Sequence, residues 1–118
     1  MIATDISALE DLERGELFLE TGLTYDGITP VRVHVTKREG RFEFSDDGGA
    51  VAAAGVRPSR LRFDERIELG EYQVNVSRNG VVSLPGFTSS NKQWLAKLPE
   101  LVAEGSLILY EALLELDD

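Results

Sequence analysis

The 118-residue sequence lacks cysteine altogether and contains a single histidine. Without cysteine the chain cannot form a disulfide, a thiolate zinc site or a cysteine nucleophile. One histidine also excludes zinc sites built from several histidines and mechanisms that need two of them. No apolar run approaches the ~20 residues that a helix needs to span a bilayer. The fold must therefore depend on an ordinary hydrophobic core, and we expect no cofactor and no bound metal.

Positive charge is scarce as well, with 12 lysine and arginine residues against 21 acidic residues and a net charge of −9. This balance argues against binding to nucleic acids or anionic membranes. The charge is uneven: range 30–66 holds eight basic and six acidic residues, a net +2, so the rest of the chain carries −11. The first 16 residues show neither a basic leader nor a long apolar core, unlike a signal peptide. We therefore expect a cytoplasmic protein.

Length and composition predict one domain. Domains usually contain about 100–150 residues, and 42% hydrophobic with 28% charged residues is typical of a soluble globular protein. A chain of this size buries roughly two thirds of its unfolded surface, which is enough for a core of its own. We therefore treat residues 1–118 as a single globular domain.

Alternation of apolar and polar residues predicts several strands, with the sequences GELFLETG, PVRVHVTK, RFEFSD, RLRFDERIEL, YQVNVS and VVSL. In the first hairpin, the valines share a face with Phe42 and Phe44 if the loop has an even number of residues. That loop is either Glu39-Gly40 or Lys37–Gly40. In the second hairpin, a three-residue loop places Val76 opposite Val82 and puts Gly80 in a left-handed conformation.

Helical spacing appears near both ends of the chain. Range Asp5–Arg14 has apolar residues at every third position, which predicts a short amphipathic helix. In the C-terminal third, Ser90 and Gln93 form a capping box before an apolar-periodic segment, with Trp94 on its apolar side. Pro99 either begins a second helix or kinks one continuous helix.

The last helical segment, LILYEALLEL, is apolar on almost all sides apart from Glu111 and Glu115. Such a helix is either central in the core or shared with another chain. The row of Leu109, Leu113 and Leu116 is accordingly core or the seam of a homodimer. The combined pattern predicts an α+β fold: a twisted, mostly antiparallel sheet of about five strands with C-terminal helices packed on one face.

One local pattern is shared with a known family. Thr29-Pro30 precedes the hairpin Val31–Ser45, which runs into the turn Ser45-Asp46-Asp47-Gly48. In this order of elements, and in this turn, the range 23–55 resembles DUF1828, a family of uncharacterised bacterial and phage domains. The resemblance implies a hairpin followed by a turn that begins a helix, in a bacterial or phage protein. It implies no activity, because the family has no established one.

The acidic turn Asp46-Asp47-Gly48 is the first candidate site. Its structural interpretation is a strand-to-helix turn, in which Asp46 or Asp47 caps the helix Gly49–Ala54 and Gly55 ends it. As a Ca²⁺ or Mg²⁺ site it lacks the further oxygen ligands that an EF-hand loop supplies. As an anion site at a helix N-terminus it is weakened by the two carboxylates, which repel phosphate.

Two further candidates carry positive or titratable groups. His34 lies on the polar side of its predicted strand, where it is either a solvated residue or a general acid or base. The one concentration of arginines includes three residues of the same strand parity, which either pair with acidic neighbours or grip a carboxylate or phosphate. These arginines are Arg57, Arg60, Arg62 and Arg66.

The pattern of residues favours a binding role over catalysis. No catalytic constellation, metal-ligand set or phosphate loop of known spacing is recognisable. We therefore predict a non-enzymatic, acidic protein-interaction or accessory module with a protein partner, and a homodimer through the C-terminal helix is a further option. An acidic small protein can also mimic nucleic acid and occupy a basic site. The alternative is a small-ligand or phosphate-binding domain that uses the arginine-lined strand face with His34.

Overall fold

A computed structural model describes residues 15–38, 41–55, 66–70, 72–77, 79–87 and 92–116. Six strands and two helices follow one another along these residues. In chain order they are β1 (Gly15–Thr24), β2 (Pro30–Arg38), β3 (Arg41–Ser45), α1 (Gly49–Ala54), β4 (Arg66–Leu69), β5 (Tyr72–Val76), β6 (Val82–Phe87) and α2 (Lys92–Leu116).

The six strands form one antiparallel sheet in the order β1-β2-β3-β6-β5-β4. Pairing of β3 with β6 joins the N-terminal and C-terminal strand sets, so the turn after β3 lies at the middle of the sheet. The helix α2 packs against one face, and the short helix α1 packs against α2. The predicted α+β fold is confirmed, with six strands where about five were expected.

Both hairpin predictions can be compared with the strand register. Arg38 pairs with Arg41 and Val35 pairs with Phe44, so the first loop is the two-residue alternative. In the second hairpin Val76 pairs with Val82, as predicted, because this register buries both valines. Gly80 has a φ of 78°, the left-handed conformation that a three-residue loop requires.

The core lies between α2 and the face of the sheet that we call the inner face. Alternate residues of each strand are buried there, as the pleat of a strand requires. Side chains with no exposed area include Val33, Val35, Phe44, Val74 and Val82 on the strands, and Val102, Leu109 and Leu113 on α2. The opposite, outer face has no described element packed on it.

The helix α2 is continuous through Pro99, which settles the alternative left by the sequence. Leu109 and Leu113 are fully buried within one chain, so both belong to its core. Among the described side chains of α2, the exposed large apolar residues are Ile108 and Leu114. No described helix is both long enough and apolar enough to cross a membrane.

Gly105 lets α2 approach the sheet closely. A Cβ at this position would lie 2.5 Å from Val74 Cγ2 and 3.2 Å from Val82 Cγ1. Only a residue without a side chain fits such a separation, so Gly105 sets the distance between α2 and strands β5 and β6.

Several predictions lie outside the described residues. These are the helix Asp5–Arg14, the strand residues before Arg66, the capping residue Ser90, and the side chains of Trp94 and Leu116.

Candidate functional site

The turn between β3 and α1 is built by two successive left-handed residues. Asp47 has a φ of 55°, the one positive value among described residues other than glycine, and Gly48 has a φ of 79°. The Ser45 hydroxyl accepts a hydrogen bond from the Asp47 amide at 2.9 Å. The structure thus forms the predicted strand-to-helix turn, with α1 beginning at Gly49 and followed by Gly55. The N-cap residue is Gly48, without a side-chain cap hydrogen bond, so the predicted capping by Asp46 or Asp47 is wrong.

Asp46 is buried beneath this turn, with 4% of its surface exposed. Its Oδ1 accepts hydrogen bonds from the amides of Gly48 at 3.0 Å and Val82 at 2.9 Å. Its Oδ2 accepts one from the Ser106 hydroxyl at 2.7 Å, and the Tyr25 hydroxyl lies 2.6 Å from the same Ser106 oxygen. Because Ser106 gives its proton to Asp46, Tyr25 donates to Ser106. These three side chains, Asp46, Ser106 and Tyr25, are called the Asp46 network below.

The side chains of the Asp46 network are buried, and their polar atoms are hydrogen-bonded. Burial raises the pKa of Asp46, against the opposing effect of its hydrogen bonds, of which that from Ser106 is the largest. Burial also raises the pKa of Tyr25 to about 12. No buried side-chain polar atom of the described residues lacks a hydrogen-bond partner. The network therefore joins the β1–β2 hairpin, the β3–α1 turn, β6 and α2.

His34 lies on the outer face between two carboxylates. Its Nε2 is 2.7 Å from Glu16 Oε2, and its Nδ1 is 4.0 Å from Asp47 Oδ1. The ring stacks on Phe18 with centroids 4.5 Å apart. Ser45 is its cross-strand neighbour, since the first hairpin has the two-residue loop. No hydrogen bond joins Ser45 to His34 in the described part of the chain, so the pair does not form a nucleophile and base.

A cavity of about 250 Å³ opens beside Phe18 and Asp47. Phe18 and Tyr25 are the aromatic residues of its lining, and the exposed Asp47 lines it beside the buried Asp46. The remaining lining residues are Pro30, Arg32 and Gly49. The cavity lies where the β1–β2 hairpin meets the β3–α1 turn, so the structure brings Asp46 and Asp47 together with aromatic residues that the sequence did not single out.

Arg66 lies at the opposite edge of the sheet. One row of the outer face crosses all six strands through Phe18, His34, Ser45, Ser83, Asn75 and Arg66. Four strand spacings separate His34 from Arg66, a distance of roughly 19 Å. The structure therefore does not bring these two together, and Arg57, Arg60 and Arg62 lie outside the described residues.

The charged residues nearer to His34 form neither a free cationic site nor a metal site among the described residues. Arg32 Nε lies 2.9 Å from Glu20 Oε1, so its charge is already paired. No cluster of three or more potential metal-ligating side chains occurs among the described residues. The Asp46 and Asp47 carboxylates are divided between the interior and the surface, and they face different partners.

The solvent side of α2 carries a row of glutamates that we call the acidic stripe: Glu100, Glu104, Glu111 and Glu115. Glu104, Glu111 and Glu115 are exposed, and Glu100 is half-buried. The sequence pattern had drawn attention to Glu111 and Glu115 alone. Glu100 and Glu111 lie four and seven residues from Glu104, and this spacing was the signal that extends the row.

Tyr25 and Ser106 were missed because the sequence gives no link between residues 81 positions apart. A serine next to Gly105, among the apolar residues of α2, is the one local signal, since a buried hydroxyl needs a partner. That partner could not be named without the fold.

Comparison with protein families, curated proteins and solved structures found no match to this chain.

Proposed function

We propose that this protein is a non-enzymatic, acidic protein-interaction module whose α2 binds a basic surface of a partner protein. The observation that supports the proposal is the acidic stripe. At about 100° per residue, its four glutamates fall within an arc of about 60° on the helix. Between Glu100 and Glu115 the helix has no basic residue, so this arc presents negative charge along several turns, and the exposed Lys97 precedes it.

The acidic stripe is unfavourable for the folded chain itself. Glu100 and Glu104 are four residues apart, as are Glu111 and Glu115, and like charges at this spacing destabilise a helix by about 0.2–0.5 kcal/mol. Glu111 and Glu115 also lie near the C-terminal end, where the helix dipole disfavours negative charge. The last turn contains no basic residue. The stability of the fold therefore does not explain the stripe, whereas a basic partner does.

Exposed aliphatic side chains border the acidic stripe. Ile108 is 42% exposed and Leu114 is 44% exposed, and both lie on the solvent side of α2. Interfaces commonly combine a few apolar contacts with a charged rim that steers association. The partner surface that fits is accordingly basic, with an apolar centre.

A second copy of the chain is a poorer occupant of this surface. A two-fold dimer places the same patch of both subunits in contact. The acidic stripe would then oppose itself, and like charges across an interface are strongly unfavourable. The expected homodimer through α2 stays a prediction, with less support than a basic partner. Membership of DUF1828, a bacterial or phage origin and a cytoplasmic location likewise remain proposals.

Selection from a random peptide display library tests the proposal without knowledge of the natural partner. Peptides are selected on the wild-type protein and counter-selected on a Glu104→Lys/Glu111→Lys variant. We expect enriched peptides that carry lysine or arginine with apolar residues. Their affinity should fall as salt rises, because the attraction is screened.

The matched control reverses two charges on the sheet instead, in a Glu43→Lys/Glu68→Lys variant. Both residues are exposed on the outer face, so the net charge changes equally. The selected peptides should bind this control as they bind wild type. Peptides without basic residues, or equal loss of binding in both variants, would contradict the proposal.

The alternative of a small-ligand or phosphate-binding domain has one observation in its favour, the cavity beside Asp47. Phosphate is the less suitable ligand there, because the exposed carboxylate of Asp47 repels it. A thermal-shift screen with phosphorylated metabolites separates the proposed interaction module from the phosphate-binding alternative. A ligand at ~100 times its Kd adds about 2.7 kcal/mol of stability. We expect no stabilisation by these anions.

A further inference from the structure

The cavity beside Asp47 has a defined electrostatic character. Arg32 lines the cavity, and its Nε lies 2.9 Å from Glu20 Oε1, so this ion pair offsets part of its positive charge. Asp46 is buried and accepts hydrogen bonds from Gly48, Val82 and Ser106. The exposed carboxylate of Asp47 has one described polar neighbour, His34 Nδ1 at 4.0 Å. The exposed anionic acceptor in the cavity is therefore the carboxylate of Asp47.

Phe18 gives the same cavity an exposed aromatic wall. The side chain is 55% exposed, and His34 stacks on one face of its ring at 4.5 Å. His34 does not line the cavity, whereas Phe18 does. The cavity thus combines the surface of a phenyl ring with an exposed carboxylate, and Tyr25 adds a second ring.

A planar cation fits this combination better than other groups. A guanidinium group stacks on an aromatic ring and donates two parallel hydrogen bonds to a carboxylate. An ammonium group has the charge but cannot stack, and an anion is repelled. The geometry points to this cavity as the binding site for an arginine side chain of a partner protein. The inference rests on the proposed function in taking the partner to be basic, but it uses residues outside the acidic stripe.

The site can be tested with substitutions that remove one property each, beginning with the charge of Asp47. Aspartate and asparagine tolerate the left-handed conformation better than other residues that carry a Cβ. An Asp47→Asn variant therefore keeps the turn while it removes the charge. A Phe18→Leu variant keeps an apolar wall and removes the aromatic face. The control, Glu43→Gln, neutralises an exposed carboxylate that does not line the cavity.

The experiment is an NMR titration of the ¹⁵N-labelled protein with a blocked Gly-Arg-Gly tripeptide. Counterparts with lysine and with citrulline, a neutral analogue of arginine, are titrated at the same salt concentration. We expect saturable shifts of the Phe18, Asp47 and Gly49 amides with the arginine peptide. The citrulline peptide and the Asp47→Asn variant should each bind roughly tenfold more weakly, as expected for loss of a charge-assisted hydrogen bond. Phe18→Leu should also weaken binding, and Glu43→Gln should leave it unchanged.

Several outcomes overturn the inference. Absence of saturable shifts excludes the site, and equal affinity for citrulline or lysine excludes recognition of guanidinium. Undiminished binding to Asp47→Asn excludes the carboxylate as its partner. Free L-arginine serves as the last probe: affinity well above that of the blocked peptide would indicate a metabolite site instead of a side-chain site. Because no probe depends on the acidic stripe, failure here leaves the display selection to test the proposed function independently.

Discussion

The side of α2 that faces the sheet and the side that faces solvent differ in how their polar and charged groups are compensated. Towards the sheet, Gly105 allows close contact with Val74, and the hydroxyl of Ser106 is matched to Asp46. Towards solvent, Glu104, Glu111 and their neighbours repel one another and oppose the helix dipole. The side of α2 that faces the sheet therefore stabilises the fold, whereas the charges on its solvent side reduce helix stability.

This difference separates residues that specify the structure from residues to which the proposed function assigns binding. Natural proteins commonly retain unfavourable groups where function requires them. Substitutions on the sheet side should reduce stability, whereas charge substitutions on the solvent side should raise stability and weaken binding. Each prediction below tests one side of this comparison.

The largest effect is expected on the sheet side, from Asp46→Ala. This substitution removes the acceptor of the Val82 amide and of the Ser106 hydroxyl, and it also frees the Gly48 amide. Each unsatisfied buried donor costs about 1–3 kcal/mol, so we expect a loss of roughly 3–5 kcal/mol. Urea unfolding followed by far-UV circular dichroism measures it. A loss below about 1 kcal/mol would mean that these donors find water, and that the network is not closed.

The next effect concerns the close approach at Gly105. Glycine to alanine in an exposed helix gains about 1 kcal/mol. Here the added Cβ would lie 2.5 Å from Val74 Cγ2, so overpacking should give a net loss of roughly 1–3 kcal/mol. Combining Gly105→Ala with Val74→Ala should cost less than the sum of the two single substitutions, since the pair shares one contact. A stabilising Gly105→Ala would show that α2 lies further from the sheet.

The fold was largely accessible from the sequence because its signals are local. The alternation of Val31, Val33 and Val35 defines a strand, and loop parity at Gly80 fixes a register. The Asp46 network was not accessible, because Tyr25, Asp46 and Ser106 meet only after the sheet and α2 have packed. For the same reason the turn was recognised but its division into one buried and one exposed carboxylate was not.

The cavity illustrates the same limit. Phe18 and Asp47 belong to different strands or turns, and nothing local indicates that the phenyl ring stays exposed. The acidic stripe, by contrast, is a property of one helix. Its four glutamates were visible in principle, once Pro99 was accepted inside a continuous helix.

A smaller effect should appear in how the free energy of unfolding depends on pH through Asp46. Because burial raises the pKa of Asp46 above its usual value of 3.8, the folded state binds this proton more tightly than the unfolded state. The stability that the protonated Asp46 adds to the fold is fully present below pH 3.8, and it is lost as pH rises through the folded-state pKa. The free energy of unfolding of wild type minus that of Asp46→Asn should therefore increase as pH falls from neutrality to below 3.8.

Subtracting the value for Asp46→Asn from that of wild type is necessary, because other carboxylates titrate in the same pH range. The pKa of Asp26 is lowered by the backbone amide of Thr29, and its own contribution has the opposite sign. That contribution cancels between wild type and Asp46→Asn. A difference that decreases towards acid would show that the hydrogen bonds to ionised Asp46 outweigh its burial.

The smallest effect is on the solvent side of α2, where Glu115→Lys should stabilise the fold. The substitution places a positive charge at the C-terminal end of the helix, which is worth about 0.3–1 kcal/mol at low salt. It also converts the Glu111–Glu115 repulsion into an attraction in the favourable order, glutamate four residues before lysine. Chemical unfolding at low and high salt should show a gain that shrinks as salt screens it. Glu43→Lys, on the sheet, is the control without a helix dipole.

The same Glu115→Lys variant should bind the display-selected basic peptides more weakly than wild type. Increased stability together with decreased binding is an outcome that a purely structural role for the acidic stripe does not produce. If Glu115→Lys instead destabilises the protein, Glu115 has a stabilising partner within the fold. The stripe then needs no explanation from outside the chain, and the proposed basic partner loses its main support.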